Sequence, residues 1–334
     1  MSLSRTERFC VPVIHDWKGE GLVESIFFKF HLGTSAFWVR HTLRKPMDKD
    51  KEPAGAVWAI WNDGEGKHVV GCNPFPFRSI EASNNRFYLR IGNSEVSMGK
   101  AKGEVFSEDG TRLAWDLSFD VGAPPLVHFP FEAMYSLPFP KNKIVSPLVS
   151  SRFSGKVEVG SNRFEVTRAL GMLGHNYGEA VAPQWVWAHA SEFGEEEGAV
   201  FEAVSSRIKI GSLMSPPMTI IFLKLRDKEY LLNSPASWFL NSSSVNGLEW
   251  RFSGRSRKTT IWGVCRAEPC LCVGLGYISS DSRVVPCVNS NLADLEIILS
   301  SPDEPRHVLR ATRKATLELG GALAPSHIPL MVQG

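Results

Sequence analysis

The sequence predicts an all-β protein that contains two antiparallel β domains. Apolar and polar residues alternate with a period of two along many short segments. Turn-forming stretches such as "NDGEG", "SEDG" and "RDKE" separate those segments. No long segment keeps the 3.6-residue period of an amphipathic helix. Several short strands at this spacing are typical of antiparallel barrels and sandwiches.

The clearest strand is "TRLAWDLSFD", which alternation divides into two faces. The segments "NRFYLRIG", "SGKVEVG", "MTIIFLKL", "LEIILS" and "KATLEL" alternate in the same way, so each is predicted to be a strand with one buried face. The glycine-rich "GLGYISS" and "ELGGALAP" are interpreted as turns or as the ends of elements. In the first strand the apolar face holds Leu113, Trp115, Leu117 and Phe119, and the polar face holds Arg112, Asp116, Ser118 and Asp120.

A domain boundary is predicted within "PFPKNKIVSPLVSSRF", near residues 138–154. Its three prolines are expected to interrupt regular structure because proline cannot donate a backbone hydrogen bond. A new series of strands begins directly after it. The 334-residue length suits two domains, so we predict one domain over residues 1–148 and a second over 149–334.

Composition excludes several classes of protein. Hydrophobic residues make up 43% of the chain, which is enough for a full core. The net charge of +2 gives no strong field for nucleic acid or for an anionic membrane. No run of about eighteen apolar residues predicts a membrane-spanning helix, and the first residues do not resemble a secretion signal. A cytoplasmic protein without stable membrane insertion is therefore expected, and its oligomeric state is not predicted.

The stretch "GMLGHNYGEAVAPQWVWAHAS", residues 171–191, is the strongest candidate for a functional site. If "QWVWAHAS" is a strand, Trp185, Trp187 and His189 lie on one face, and small aliphatic residues lie on the other. A barrel strand with its small face packed and its aromatic face toward a cavity has this pattern. The alternative is that the two indoles are core residues with bonded N–H groups.

The segment "GHNYG" is predicted to bend between two glycines and to present polar side chains at the cavity. His175 is the candidate acid or base, with His189 as a second titratable group. Asn176 and Tyr177 are candidates for holding a substrate oxygen. Glu192 is a nearby carboxylate. A zinc site made of His175, His189 and Glu192 is an alternative, but these residues lack compact metal-ligand spacing, so no metal is predicted.

A second candidate lies in the first half of the chain, in "FHLGTSAFWVRHTLRKP". Alternation places Trp38, Arg40 and Thr42 on one strand face. Arg40 is either a buried anchor for an anionic or carbonyl group, or an arginine held by an ion pair or an aromatic ring. Both interpretations stay open at the level of the sequence.

Three stretches resemble a known family. They are "SGKVEVGSNRFEVTRALGMLGHNYGEAVAPQWVWAHAS", "VPCVNSNLADLEIIL" and "FFKFHLGTSAFWVRHTL". The first two are similar to the second domain of the carotenoid 1,2-hydratase-like, or hydroxyneurosporene-synthase-like, lipocalin superfamily, and the third is similar to its first domain. The superfamily is distantly similar to tocopherol cyclase and to fungal Diels–Alderase proteins. The resemblance implies a tandem of two lipocalin-like antiparallel β-barrels that hold an apolar ligand in a pocket at or between them and need no cofactor.

The same resemblance implies which residues line the pocket. His175, Asn176, Tyr177, Trp185, Trp187 and His189 match the motif. The hydratases of the family carry an acidic residue directly before the His-Asn pair, where this chain has Gly174. Because that acid would protonate an alkene, hydration is the less favoured reaction here.

These observations lead to three functional hypotheses. The first is an enzyme that acts on a terpenoid, polyketide or lipid by cyclisation, isomerisation or hydration, as in secondary metabolism. In it, Trp38, Arg40, Trp185, Trp187 and Glu192 bind the substrate. The second is a non-catalytic carrier of a lipid or pigment. A weaker third is a structural protein whose barrels are filled by side chains.

Overall fold

Two large antiparallel sheets dominate the computed structural model, which describes residues 3–210, 213–256, 258–302 and 304–334. The prediction of an all-β protein is confirmed. Within those ranges, α-helix is confined to α1 (Arg5–Cys10) and α2 (Pro235–Leu240). Single 3₁₀ turns occupy Phe77–Ser79, Glu132–Tyr135 and Pro269–Leu271. No helix in the described ranges has the length and apolar character needed to cross a membrane.

The first sheet contains twelve described strands and is a nearly closed barrel. Its strands run in the order β4-β3-β2-β1-β12-β11-β9-β8-β7-β6-β5, and β10 pairs with β11. The side-chain amide of Asn73 exchanges hydrogen bonds of 3.1 and 2.9 Å with the backbone of Phe106, which brings β4 against β8. The strands are β1 (Leu22–Leu32), β2 (Ser35–Lys45), β3 (Ala54–Asn62), β4 (His68–Pro76), β5 (Ile80–Ala82), β6 (Tyr88–Ile91), β7 (Ser94–Ser97), β8 (Lys100–Phe106), β9 (Arg112–Phe119), β10 (Leu126–Val127), β11 (Asn142–Val159) and β12 (Asn162–Gly178).

The second sheet contains eleven described strands in the order β18-β17-β14-β13-β24-β23-β21-β20-β19, with β22 paired to β23 and to β25. A separate hairpin pairs β15 (Lys209–Ile210) with β16 (Leu213–Met214). The strands of the second sheet are β13 (Gln184–Ala190), β14 (Val200–Arg207), β17 (Met218–Leu225), β18 (Lys228–Leu232), β19 (Ser242–Asn246), β20 (Glu249–Ser256), β21 (Thr259–Arg266), β22 (Val273–Ile278), β23 (Val284–Ser301), β24 (Glu304–Gly321) and β25 (Leu330–Gln333).

Each sheet packs its own apolar core, as the alternation predicts. In β9 the predicted apolar face is buried in the core of the first sheet, and Asp116 and Ser118 on its other face are exposed. In β13, Val186, Ala188 and Ala190 are buried in the core of the second sheet. In these two strands the period-2 pattern therefore identified which face points into the core of its own sheet.

The chain passes from the first sheet to the second between β12 and β13. The predicted boundary at 148/149 instead falls inside β11, and residues 149–178 pair within the first sheet. Pro147 does not end the strand, because it lies at a register shift between Val145 and Leu148 where a regular ladder hydrogen bond is not required. The sheets thus divide about thirty residues later than the prolines indicated. Whether each sheet is an independent domain stays a prediction.

A third apolar cluster joins the two sheets. It contains Phe27, Trp38 and Trp58 from the first sheet and Trp187 and Tyr277 from the second. Phe27 meets Trp187 edge-on at 5.7 Å, and Trp58 meets Tyr277 edge-on at 5.6 Å. The faces of β1, β2 and β3 that point away from the first core therefore form one wall of an inter-sheet space, and β13, β14, β22 and β24 form the other.

Candidate functional site

A cavity of about 190 Å³ lies in this inter-sheet space. A single ordered water needs only on the order of 10–15 Å³, so the cavity has room for an organic molecule. Its walls are mostly aromatic and aliphatic, as in ligand-binding sites of other proteins. Six residues predicted from the sequence line it: Trp38, Arg40, Asn176, Tyr177, Trp185 and Trp187.

A carboxylate belongs to the lining of the cavity. Glu318 on β24 accepts a hydrogen bond from Trp185 Nε1 at 2.8 Å. The Tyr277 hydroxyl and the Asn289 side-chain amide donate to its other oxygen at 3.4 and 3.3 Å. Three donors from three different strands therefore fix the orientation of this carboxylate beside the cavity.

A guanidinium faces the same tyrosine. The Arg40 guanidinium carbon lies 3.9 Å from the centre of the Tyr277 ring, and Arg40 Nε and Nη2 donate to Ser25 Oγ at 2.9 and 2.6 Å. No carboxylate of the described residues lies within 4.0 Å of Arg40. Burial, and then the charges of Cys287 and Glu318, raises the pKa of Tyr277 well above its usual range, so Tyr277 stays a neutral donor.

The pairing of β13 with β24 explains why Trp185 reaches Glu318. Trp185 lies opposite Gly320 in this pairing. A Cβ atom added to Gly320 would lie only 2.0 Å from the Trp185 ring. Glycine at this position therefore lets the indole lie flat across β24, where its N–H reaches the neighbouring carboxylate.

Asn176 and Tyr177 both line the cavity from the end of β12. Asn176 Oδ1 is buried and has no hydrogen-bond partner within the described ranges, so it can accept a bond from a ligand. Burial, and then the charge of Glu24, raises the pKa of Tyr177 above its usual range. Its ring packs edge-on against Trp17 at 6.1 Å. The predicted bend at "GHNYG" is instead the last, still paired part of β12.

His175 points away from the cavity, into the first sheet. Its side chain is buried between Glu24 Oε1, at 2.9 Å from Nε2, and the Phe9 carbonyl, at 2.8 Å from Nδ1. Both partners are acceptors, an arrangement that two ring N–H donors satisfy. The sequence could not predict this position because the Glu24 partner is far away along the chain.

His189 and Glu192 lie behind the cavity wall rather than on it. His189 is fully buried and donates from Nε2 to the Val149 carbonyl at 2.7 Å. Burial, and next the charge of Lys29, lowers the pKa of His189 to about 3. Glu192 lies 3.1 Å from His31 Nδ1 and 3.2 Å from Lys314 Nζ. His175, His189 and Glu192 thus have different partners, and no group of three possible metal ligands is found among the described residues.

A buried acid lies behind Trp187. Glu202 Oε1 accepts bonds from Trp187 Nε1 at 2.9 Å, Ser146 Oγ at 2.9 Å and His128 Nε2 at 3.2 Å. Burial raises the pKa of Glu202, but its interactions with His128, His189 and Trp187 together outweigh that effect and lower it to about 2. Glu202 does not line the cavity; it fixes the Trp187 ring that does.

A loop and a short helix complete the lining. Phe129 and Phe139 belong to the segment between β10 and β11, and Trp238 belongs to α2. Lys143 holds this segment by donating to the carbonyls of Met134 at 2.7 Å, Leu137 at 2.8 Å and Pro140. Trp238 is 7% exposed, and its Nε1 has no hydrogen-bond partner among the described residues.

The sequence did not reveal Glu318, Tyr277, Asn289 or Trp238. Tyr277 belongs to "GLGYISS", which was interpreted as a turn or the end of an element, whereas its first five residues lie in strand β22. Glu318 belongs to the predicted strand "KATLEL", where it resembles any solvent-facing glutamate. The sequence feature that could have pointed to this part of the site was "CVNS", because its Asn289 donates a hydrogen bond to Glu318.

The sequence matches the model of a known protein family. The model of the family described as tocopherol cyclase-like matches residues 133–321, more than half of the chain. This chain belongs to the tocopherol cyclase-like family. The resemblance to this group of lipocalin-like proteins is therefore confirmed. The match includes β12, β13, β22 and β24, so most of the cavity wall belongs to the part shared with the tocopherol cyclase-like family.

Relatives of this tocopherol cyclase-like chain extend the comparison. An uncharacterized protein of Mycobacterium tuberculosis is 29% identical over 217 residues, which cover 64% of this chain and 63% of that protein. The match thus spans less than two thirds of that relative. The structure of CghA with Sch210972 has a TM-score of 0.60 at 12% identity and covers 97% of this chain and 94% of that one. Kievitone hydratase from Nectria haematococca has a TM-score of 0.52 at 10% identity and covers 94% and 92%. These two likenesses show a shared fold.

Proposed function

We propose that this protein binds an apolar small molecule of terpenoid, polyketide or lipid type in the inter-sheet cavity. We further propose that it converts this molecule by cyclisation, isomerisation or hydration without a cofactor. The observation that carries the proposal is the cavity itself, which combines aromatic walls with a few polar groups. Two solved structures of the same fold, kievitone hydratase and CghA with Sch210972, support a small-molecule function.

The proposed roles follow from where each side chain lies. Trp38, Trp185 and Trp187 form the apolar walls, and Asn176 and Tyr177 offer hydrogen bonds to a substrate oxygen. His175 and His189, which were candidate catalytic residues, are proposed to act indirectly. His175 ties Glu24 to the segment that carries Phe9, and His189 ties β13 to β11.

Hydration by alkene protonation is the least supported of the three reactions. The position of the hydratase acid is Gly174, and a Cβ atom there would lie 2.3 Å from the ring of Phe27. Phe27 therefore fills the space in which an acidic side chain would have to lie. A proton donor would have to come from elsewhere in the cavity.

A non-catalytic carrier is the second candidate, because an apolar cavity is also what a lipid or pigment carrier needs. Mass spectrometry of organic extracts separates the two candidates. The purified protein is incubated with an extract of apolar metabolites, and bound and free compounds are compared before and after. A new product that depends on the protein supports an enzyme. Retention of an unchanged compound supports a carrier, and neither retention nor product contradicts both.

A further inference from the structure

We propose that Glu318 and Arg40 form an acid–base site for enolisable carbonyl compounds that carry an apolar body. The inference rests on the proposed function, because it assigns chemistry to the same cavity. In this site Glu318 moves the proton, and Arg40 holds the carbonyl oxygen. Neither residue belongs to the "GHNYG" element that the sequence singles out.

The first argument is the separation of the two charges. Both side chains line the cavity and both contact Tyr277, yet Arg40 is more than 4.0 Å from every described carboxylate. Arginine and glutamate in a poorly hydrated space attract each other strongly, so a structure that keeps them apart leaves each one available to a ligand. A group bound between them would meet a cation on one side and a carboxylate on the other.

The second argument is preorganisation. Glu318 is fixed by Trp185, Tyr277 and Asn289, and Arg40 is fixed by Ser25 and by the Tyr277 ring. Donors and acceptors that are oriented before the substrate arrives need no reorganisation during the reaction. A carboxylate held beside an apolar cavity is a suitable general base, provided that a substrate C–H group reaches it.

The third argument concerns the sign of the charge that the site stabilises. A guanidinium stabilises a developing oxyanion and disfavours a developing carbocation next to it. The Arg40 guanidinium in the cavity lining therefore favours a route through an enolate over alkene protonation. This agrees with Gly174, where the hydratase acid is missing.

The reaction step balances without an oxidant or a reductant. The C–H bond next to the carbonyl breaks, and its proton passes to the Glu318 carboxylate. The electron pair of that bond forms a C=C bond, and the carbonyl π pair moves to the oxygen beside Arg40. Return of the proton to the same carbon gives exchange, and return to a conjugated carbon gives an isomer. Attack of the enolate on an acceptor within the same molecule gives a ring, and Glu318 loses its proton to the product.

The test uses α-tetralone, an apolar bicyclic ketone, in deuterated buffer. Nuclear magnetic resonance follows deuterium incorporation next to the carbonyl, and saturation-transfer spectra report binding separately. The wild-type protein should accelerate exchange above the buffer rate. Glu318→Gln should bind the ketone but lose exchange by roughly 100-fold, the usual size of a general-base contribution. Arg40→Met should lose exchange and also bind more weakly.

The controls keep the outcome interpretable. Glu229→Gln removes an exposed carboxylate outside the cavity and should leave exchange unchanged. Glu318→Asp keeps a carboxylate and should retain part of the exchange if Gln fails for reasons of folding. Binding of the ketone without exchange, or full exchange by Glu318→Gln, overturns the acid–base site and leaves the cavity intact. Absence of both binding and exchange contradicts the inference together with the proposed function.

Discussion

At the scale of single residues, burial sets the protonation of the side chains behind the cavity wall. Lys29 is buried near His189 and Glu192, and burial lowers its pKa to about 7 despite the opposing charge of Glu192. His189 is neutral, since its Nε2 donates to a carbonyl and its Nδ1 has no partner among the described residues. These groups lie where the two sheets meet, so their titration changes the stability of the whole fold.

Replacing His189 with glutamine should flatten the acid side of the stability profile. Between pH 6.5 and about 3 the unfolded chain binds a proton that folded His189 does not, so the free energy of unfolding falls as the pH is lowered. Glutamine keeps a donor for the Val149 carbonyl and does not titrate. Urea unfolding measures how far the free energy of unfolding falls between pH 6.5 and pH 4.5. This fall should be smaller by about 2 kcal/mol in His189→Gln than in the wild type. His327→Gln makes the same change at an exposed position and is the control. If the free energy of unfolding fell equally between the two pH values in the wild type and in His189→Gln, the lowered pKa of His189 would be refuted.

The sequence predicted some residues of the cavity and missed others for a physical reason. Trp185 and Trp187 were found because alternation fixes the face of a strand. His175 was assigned to the cavity, but it lies on the other face of β12, beside Glu24. Glu318 was not found because a lone glutamate on a strand is usually solvated, and nothing local marks it as inward-facing. The placement of a polar side chain depends on partners that are remote in the sequence.

At the scale of elements, close packing between β1 and β12 decides which residues fit on the inter-sheet face. Phe27 pairs with Gly174. Its ring packs over the glycine and also contacts the Trp187 ring edge-on. The strands themselves could be predicted from alternation, but this register could not, because β1 and β12 are neighbours in the sheet yet lie far apart along the chain. The proline in β11 was misread for a similar reason, since the bulge at Pro147 is set by the neighbouring strands.

Gly174→Ala should destabilise the protein because the new Cβ atom would overlap the Phe27 ring. Overpacking of this kind costs about 1–3 kcal/mol, which urea unfolding can measure. In a Phe27→Ala background the ring is gone, and Gly174→Ala should cost far less. Gly194→Ala, where no atom lies within 4 Å of the added Cβ, serves as the control. Strictly additive effects of the Phe27 and Gly174 changes would contradict the packing argument.

At the scale of the whole molecule, the candidate site exists only because the two sheets face each other. Arg40 comes from β2, and Tyr277, which it covers, comes from β22. The sequence predicted two β units and an aromatic strand face, and both are present. The resemblance left open a pocket inside a barrel or between the two units, and the residues alone could not decide between them, because inter-sheet contacts leave no local pattern in either half.

Binding of an apolar dye tests whether the inter-sheet cavity is a ligand site. N-phenyl-1-naphthylamine fluoresces in apolar surroundings and can be titrated into the 334-residue protein. Val204 lines the cavity, so Val204→Phe should fill it and weaken binding at least tenfold, with unchanged circular dichroism. Val121→Phe makes the same change at an exposed position outside the cavity and should bind like the wild type. We expect saturable binding to the wild type and binding at least tenfold weaker to Val204→Phe. Absence of saturable binding, or equal binding by wild type and Val204→Phe, would show that this cavity is not a ligand site.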